Sequence, residues 1–179
     1  QEQVKIEITS PVPVTHTLAL RLPDWCAEPA VSLNGEAITG EVSRGYLYLS
    51  RRWQEGDTLT LTLPMPVRRV YGNPQVRQQA GKVALQRGPL VYCLEEADNG
   101  ANLHNLSLPR DSEFRVYEGK GIFAHKMLIQ TEGIGCHMKE TDALWQYDRS
   151  PVQRQPRTLT FIPWFSWANR GEGEMRIWV

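Results

Sequence analysis

TLTLTL, Thr58 to Leu63, decides the fold class: Leu59, Leu61 and Leu63 fall on one face of an extended chain and the threonines on the other. Successive side chains of a strand point to opposite faces, so a strict period of two gives a dry leucine side and a wet threonine side. The same alternation recurs upstream, with Val4, Ile6 and Ile8 in VKIEIT and Leu18, Leu20 and Leu22 in TLALRL. Turn residues sit between these runs. Asn34-Gly35, between VSL and EAI, suits the two consecutive positive φ angles of a type I′ hairpin. Glu55-Gly56-Asp57 supplies another turn ahead of Thr58. No segment sustains helical periodicity with caps. The reading is all-β.

The pattern changes at PMPVRRVYGNPQVRQQAG (Pro64 to Gly81), which holds three prolines, two glycines and the basic residues Arg68, Arg69 and Arg77. Proline cannot donate to a central ladder, so this stretch reads as a connector with an edge strand at Val67 to Tyr71. Strands resume with VALQ, which turns at Arg87-Gly88-Pro89 into LVYCLE. That unbroken apolar run predicts a strand buried on both faces. FRVYE, KMLIQT, LTFIPW and EMRIWV are further strand candidates, separated by the polar segments EADNGANLHNLSLPRDS and ETDALWQYDRSPVQRQP, read as long loops. The expected architecture is two antiparallel, jelly-roll-like β-sandwich units. The first spans residues 1–80, with the connector at 64–81, and the second spans 82–179. A single longer sandwich is the rival.

Composition narrows the function classes. Twenty basic residues balance twenty acidic ones among 179, so no long-range field favours nucleic acid or an anionic membrane. No apolar run reaches the ~20 residues of a membrane span. Cys26, Cys93 and Cys136 are far apart and form no CxxC pair, which suits a reducing compartment and argues against a disulfide framework or a structural zinc site. With no leader visible ahead of Val4, a cytoplasmic location is expected.

LRLPDWC, VSLNGE, GYLYLSRRWQEGDTLTLTLPMPVR, GKVALQRGPLVYCLEEADN and IPWFSWANRGEGEM occur in that order from about Leu20 to the end of the chain. Together they resemble the C-terminal region of glycoside hydrolase family 127, the bacterial β-L-arabinofuranosidase-like proteins. The most specific pair is R-G-P-L-V-Y with the downstream W-A-N-R-G. The resemblance implies a parent in which an (α/α)6-barrel catalytic domain precedes two β-sandwiches. It also implies retaining hydrolysis by a cysteine nucleophile on a zinc ion held by cysteines and a glutamate. Those ligands belong to the barrel, and their Glu-x-Cys and Cys-Cys signatures do not occur in this sequence. No catalytic residue, metal ligand or cofactor is therefore assigned to this chain. It reads as a non-catalytic accessory region whose partner is the missing N-terminal barrel. Gln1 opens almost directly on a strand, so the first sandwich is expected to be incomplete, with an exposed sheet edge inviting self-association.

Candidate binding residues concentrate in IPWFSWANRG. Trp164 and Trp167 could stack on sugar rings, with Asn169 and Arg170 as donors to an oligosaccharide. The alternative fills the second core with these aromatics or docks them on the barrel, and makes Asn169-Arg170-Gly171 a turn. That choice separates an autonomous carbohydrate-binding module from a scaffold; a dimerisation module is a third reading. Arg87 either faces the parent's active site or makes a structural salt bridge or carbonyl clamp. Glu95, Glu96 and Asp98 could serve as paired carboxylates or calcium ligands, but at a strand end they read as capping, solvated residues. Trp25 and Trp53 read as core or rim anchors. The adjacent Cys136 and His137 face opposite sides of a strand and make no nucleophile–base pair.

Overall fold

The computed structural model describes residues 2–137 and 152–179. It is built from antiparallel strands, and the chain divides into two compact units, Gln1–Pro66 and Val67–Val179.

The first unit contains β1 (Gln3–Glu7), β2 (Val14–Arg21), β3 (Ala30–Leu33), β4 (Glu36–Ala37), β5 (Glu41–Ser43), β6 (Tyr46–Trp53) and β7 (Thr58–Thr62). They form a four-stranded sheet in the order β1-β7-β3-β4 and a three-stranded sheet in the order β2-β6-β5. Alternation drives the packing. Val31, Leu33, Leu59 and Leu61 from one sheet meet Leu20, Leu47, Leu49 and Trp53 from the other in a single buried cluster. Burying these apolar faces against each other is what holds two such sheets together. Trp53 is fully buried, and its Nε1 donates to the His16 carbonyl at 3.0 Å. Two tight turns shape the hairpins: Asn34-Gly35 at φ 52° and 88°, and Arg44-Gly45 at φ 50° and 78°. Asn34 also receives Thr58 N–H at 2.8 Å and donates to Asp57 at 2.9 Å, which ties the β3–β4 turn to the start of β7.

The second unit contains β8 (Val67–Tyr71), β9 (Val83–Arg87), β10 (Leu90–Glu95), a single helical turn α1 (Glu96–Asn99), β11 (Leu106–Ser107), β12 (Arg115–Glu118), β13 (Met127–His137), β14 (Gln153–Pro163) and β15 (Met175–Arg176). The ladder is continuous: β11-β13-β14-β10-β9-β8, with β12 also on β13 and β15 also on β10. Its two layers belong to one curled sheet. Val67 of β8 and Leu106 and Val116 of β11 and β12 come from opposite ends of the path, yet pack on the same buried cluster of Leu85, Tyr92, Leu94, Ile129, Leu159 and Phe161. Arg69 latches the ends together. Its Nη2 donates to the carbonyls of Pro109 (2.8 Å) and Ser112 (3.1 Å), and its guanidinium lies 4.8 Å over the Phe114 ring.

β10 is buried on both faces, with Tyr92 and Leu94 in one cluster and Cys93 with Phe123, Leu128 and Ile162 in the other. Its unbroken apolar run is the sequence trace of that position.

Three boundaries differ from the sequence reading. The units divide at Pro66 rather than near residue 80, because Val67–Tyr71 pairs with β9 from Val67↔Arg87 to Tyr71↔Val83. Pro64 and Pro66 end the first unit, and the strand after them is the edge of the second sheet. Of the polar segment at 140–156, residues 140–151 lie outside the described residues, while Gln153–Pro156 already belongs to β14 and pairs with His137 to Ile134. Cross-strand hydrogen bonds extend that strand past its apolar part. EMRIWV is a strand only at Met175–Arg176, after which Val179 exchanges both backbone hydrogen bonds with Val83, at 2.9 and 3.0 Å.

Gly133, inside β13, has no room for a side chain. A Cβ there would lie 2.3 Å from Leu159 Cδ1 and 2.9 Å from the Ser107 carbonyl oxygen. Gly133→Ala should therefore destabilise the second unit by about 1–3 kcal/mol through overpacking. Urea denaturation followed by the near-ultraviolet signal reads the effect; an unchanged midpoint would show that the sheet gives way freely.

Candidate functional site

The chain leaves β14 at Pro163 into a short 3-10 turn, Trp164–Ser166, then loops back through Trp167–Gly173 to β15. The turn and the residue that caps it present three aromatic side chains to solvent: Trp164 is 49% exposed, Phe165 59% and Trp167 41%. The two tryptophans are thus not core residues, which corrects the core-filling alternative. Only Ser166 of this turn points inward and is buried.

What holds the turn is charge. Glu95, at the end of β10, is only 4% exposed and accepts hydrogen bonds from Arg170 Nε at 2.9 Å and Ala168 N–H at 3.2 Å. Arg170 Nη2 also contacts Glu95 and reaches Asp98 Oδ2 at 2.5 Å, while Nη1 donates to Asp98 Oδ1 at 2.7 Å. The guanidinium stacks 4.7 Å over the Phe123 ring. A planar fork suits this use, gripping two carboxylates in its plane and an aromatic ring on its face. Asp98 foremost, with Glu95, raises the arginine's pKa further above its ordinary value.

Glu95 is accordingly not a solvated residue, whereas Asp98 is exposed and Glu96 half-buried. A carboxylate buried this deeply needs a partner, and Arg170 supplies it. Glu96 accepts Glu174 N–H at 2.8 Å, and Glu174 in turn accepts Leu103 N–H at 2.7 Å. Asn99 completes the hub by donating to the Glu95 and Thr160 carbonyls (2.9 and 3.0 Å) and accepting Thr160 N–H at 2.9 Å.

Ala168 sits in the left-handed region at φ 63°, a conformation that costs an alanine about 1–2 kcal/mol. Its N–H bond to Glu95 offsets that cost. The neighbouring Asn169 amide donates to the Ser166 carbonyl at 2.9 Å.

Arg87 lies apart from this cluster, on β9, and is paired with the Tyr92 hydroxyl. That hydroxyl also donates to the Met127 carbonyl at 2.9 Å; burial pushes its pKa up while Arg87 pulls it down. The structure thus joins Trp164, Trp167, Asn169 and Arg170 on one turn and leaves Arg87 in an internal contact. Sequence reasoning missed Glu95, Asn99 and Phe123 as the turn's supports, since nothing in the spacing of 95–99 and 168–174 announces that they meet. Phe165 could have been found from its place between two tryptophans. Trp53 is core and Trp25 half-buried, and Cys136 and His137 are neighbours at the end of β13. Among the described residues, no group of three or more His, Cys, Asp or Glu could hold a metal ion.

Two family profiles cover this chain. Residues 1–65 match the β-L-arabinofuranosidase, GH127 middle domain, and residues 67–179 match the glycoside hydrolase family 127 C-terminal domain. The chain belongs to glycoside hydrolase family 127. It is 34% identical to a non-reducing end β-L-arabinofuranosidase of Bifidobacterium longum over 96% of its own length and 28% of that protein's. Its fold matches a GH127 β-L-arabinofuranosidase from Geobacillus stearothermophilus T6 with a TM-score of 0.90 at 40% identity, covering 99% of this chain and 28% of that one. A second GH127 β-arabinofuranosidase gives a TM-score of 0.87 at 29% identity, covering 99% and 29%. The chain thus spans little more than a quarter of the length of these relatives.

The clamp makes two predictions. Arg170→Met leaves the buried Glu95 without its counter-charge and should cost about 2–4 kcal/mol, of which the added Glu95→Gln change restores a large part. Chemical denaturation of the single and double variants measures this; strictly additive losses would mean the pair does not interact. The second concerns Cys93, whose thiol burial foremost, aided by Glu95 and Asp98, pushes from 9.0 up to about 12. The folded chain keeps a proton that the unfolded chain releases, so this contribution is whole below about pH 9 and is lost as pH rises towards about 12. Cys93→Ala should flatten the alkaline decline of the urea midpoint; parallel declines would assign it to other groups.

Proposed function

We propose that this chain is the non-catalytic accessory region of a β-L-arabinofuranosidase-like glycoside hydrolase and docks through Trp164, Phe165 and Trp167 on the catalytic part outside it. One observation carries the reading: three neighbouring aromatic side chains are held in solvent by a buried ion-pair clamp. Burying them would release water from a large apolar area, the usual core of a stable interface. A sugar platform needs polar groups free beside its rings. Here Arg170 is spent on Glu95 and Asp98, and the Asn169 amide is spent on Ser166. That favours docking over oligosaccharide binding.

Hydrolysis, by the zinc-thiolate chemistry that the family resemblance implies, belongs in this reading to residues outside the chain. The described residues offer no matching ligand set. A reducing, cytoplasmic setting fits its free cysteines.

The chain alone should release no nitrophenolate from 4-nitrophenyl β-L-arabinofuranoside, and measurable turnover would overturn the accessory reading. An arabinofuranosyl disaccharide should leave the fluorescence of Trp164 and Trp167 unchanged; saturable quenching lost in Trp164→Ser would establish the sugar-binding alternative instead.

In the same reading, any self-association would use β1, the edge strand of its four-stranded sheet. Lys5 and Glu7 on that strand weaken such pairing, so light scattering should show it only at high protein concentration.

A further inference from the structure

The first unit is unequal: a sheet of four strands packs on a sheet of three. β1 and β2 are both end strands, joined by the short link at residues 8–13, and Ile6 of one and Leu18 of the other pack on the rim of the same buried cluster. Burial falls away along this flank. Leu61 on β7 is buried, but Val4, its partner on β1, is 47% exposed. Leu49 on β6 is buried, while Leu18, its partner on β2, is only half-buried. Residues directly opposite on adjacent strands share a face, so Val4 and Leu18 aim at the core and lack cover.

The backbone of β2 is open on the same flank. Leu22 N–H donates to the Gly45 carbonyl at 2.8 Å, next to the ladder that runs from Arg21↔Tyr46 to Val14↔Trp53. Bonded and non-bonded pairs alternate in an antiparallel ladder. Leu20, Leu18 and His16 therefore bond to β6, and the N–H and C=O groups of Thr15, Thr17, Ala19 and Arg21 point the other way. Among the described residues β2 pairs with β6 alone, so no strand meets those groups. Edge strands are normally blunted by charged side chains, proline or a bulge. β1 carries Lys5 and Glu7. β2 pairs without a bulge over its whole length and shows only Thr15, Thr17 and Ala19 on its outer face before Arg21.

We propose that β2 accepts a further strand, supplied by the part of the glycoside hydrolase outside residues 1–179. Its backbone pairs with Thr15, Thr17, Ala19 and Arg21, and its apolar side chains alternate inward to cover Leu18 and Val4. The proposal rests on the accessory-region reading, and the relatives carry nearly three-quarters of their length outside the matched region to supply such a strand. A strand tethered to the same polypeptide also avoids most of the entropy cost of recruiting a second molecule. A second copy fits this edge less well. The exposure of Val4 shows β1 reaching past β2, so the β2 of another copy would bring its own β1 into the same space, whereas a lone strand does not. Filling β2 leaves β1, with its charged side chains, as the solvent edge.

The test is hydrogen–deuterium exchange, resolved to single residues by mass spectrometry, on the 179-residue chain and on the whole hydrolase. In the chain alone the amides of Thr15, Thr17, Ala19 and Arg21 should exchange fast and those of Leu18 and Leu20 slowly. In the whole hydrolase the first set should slow by at least about a hundredfold. Ala19→Pro removes one edge N–H and spares the β6 ladder. It should leave the urea midpoint of the chain alone unchanged, and in the whole hydrolase it should restore fast exchange at Thr17 and Arg21. Fast exchange of the first set in the whole hydrolase overturns the proposal. So does slowing in the chain alone that rises with concentration, which assigns the edge to a second copy. Protection of Thr17 and Arg21 that survives Ala19→Pro means a covering surface without strand pairing. The same data report Trp164–Trp167 separately, so loss of the accessory reading, with that turn unprotected in the whole hydrolase, is distinguished from failure at β2.

Discussion

The ion pair between Glu95 and Arg170 is the constraint on which the C-terminal half of the second unit depends. Glu95 ends the most buried strand of the sheet, so its carboxylate would be stranded without a cation. Arg170 answers that need and in doing so pulls the segment after β14 back onto β10, where Phe123 covers the guanidinium. Backbone pairing of Leu94 and Glu95 with Arg176 and Met175 then completes the return. Desolvation makes such a pair costly to build and more costly to break, which suits a contact that orients a loop rather than one that merely adds stability.

The consequence appears on the outside. Clamped from within, the turn at Trp164–Ser166 cannot fold its rings inward, and Ser166 takes the single inward position. Three aromatics therefore stay in water in this chain. The relatives it matches carry nearly three-quarters of their length outside the matched region.

Much of the fold was legible in local pattern. TLTLTL and TLALRL report a half-buried strand each, because alternation has only one structural meaning in antiparallel sheets. LVYCLE reports burial on both faces. Asn34-Gly35 reports its hairpin because few residue pairs tolerate two positive φ angles. The aromatic turn was visible as a cluster, though not its exposure. Tryptophan is buried often enough that composition alone points inward, and here the clamp overrides that preference. Arg87 was singled out by its place before Gly88-Pro89, whereas its contact with the Tyr92 hydroxyl depends on a cross-strand neighbour. Val67–Tyr71 read as an edge strand inside a proline-flanked connector; its allegiance to β9 is a pairing across a loop that no local signal encodes.

The sequence by itself determined an all-β chain, its family, and the tryptophan-rich segment worth inspecting, since periodicity, turn chemistry and motif order are all local properties. Only the tertiary structure decided where the two units divide, that one ladder curls to close the second, and which side of the aromatic turn faces water. The physical reason is common to all three: each depends on groups more than a dozen residues apart, Val67 with Arg87, Arg69 with Pro109, Glu95 with Arg170, whose meeting is set by burial and hydrogen-bond satisfaction of the whole sheet.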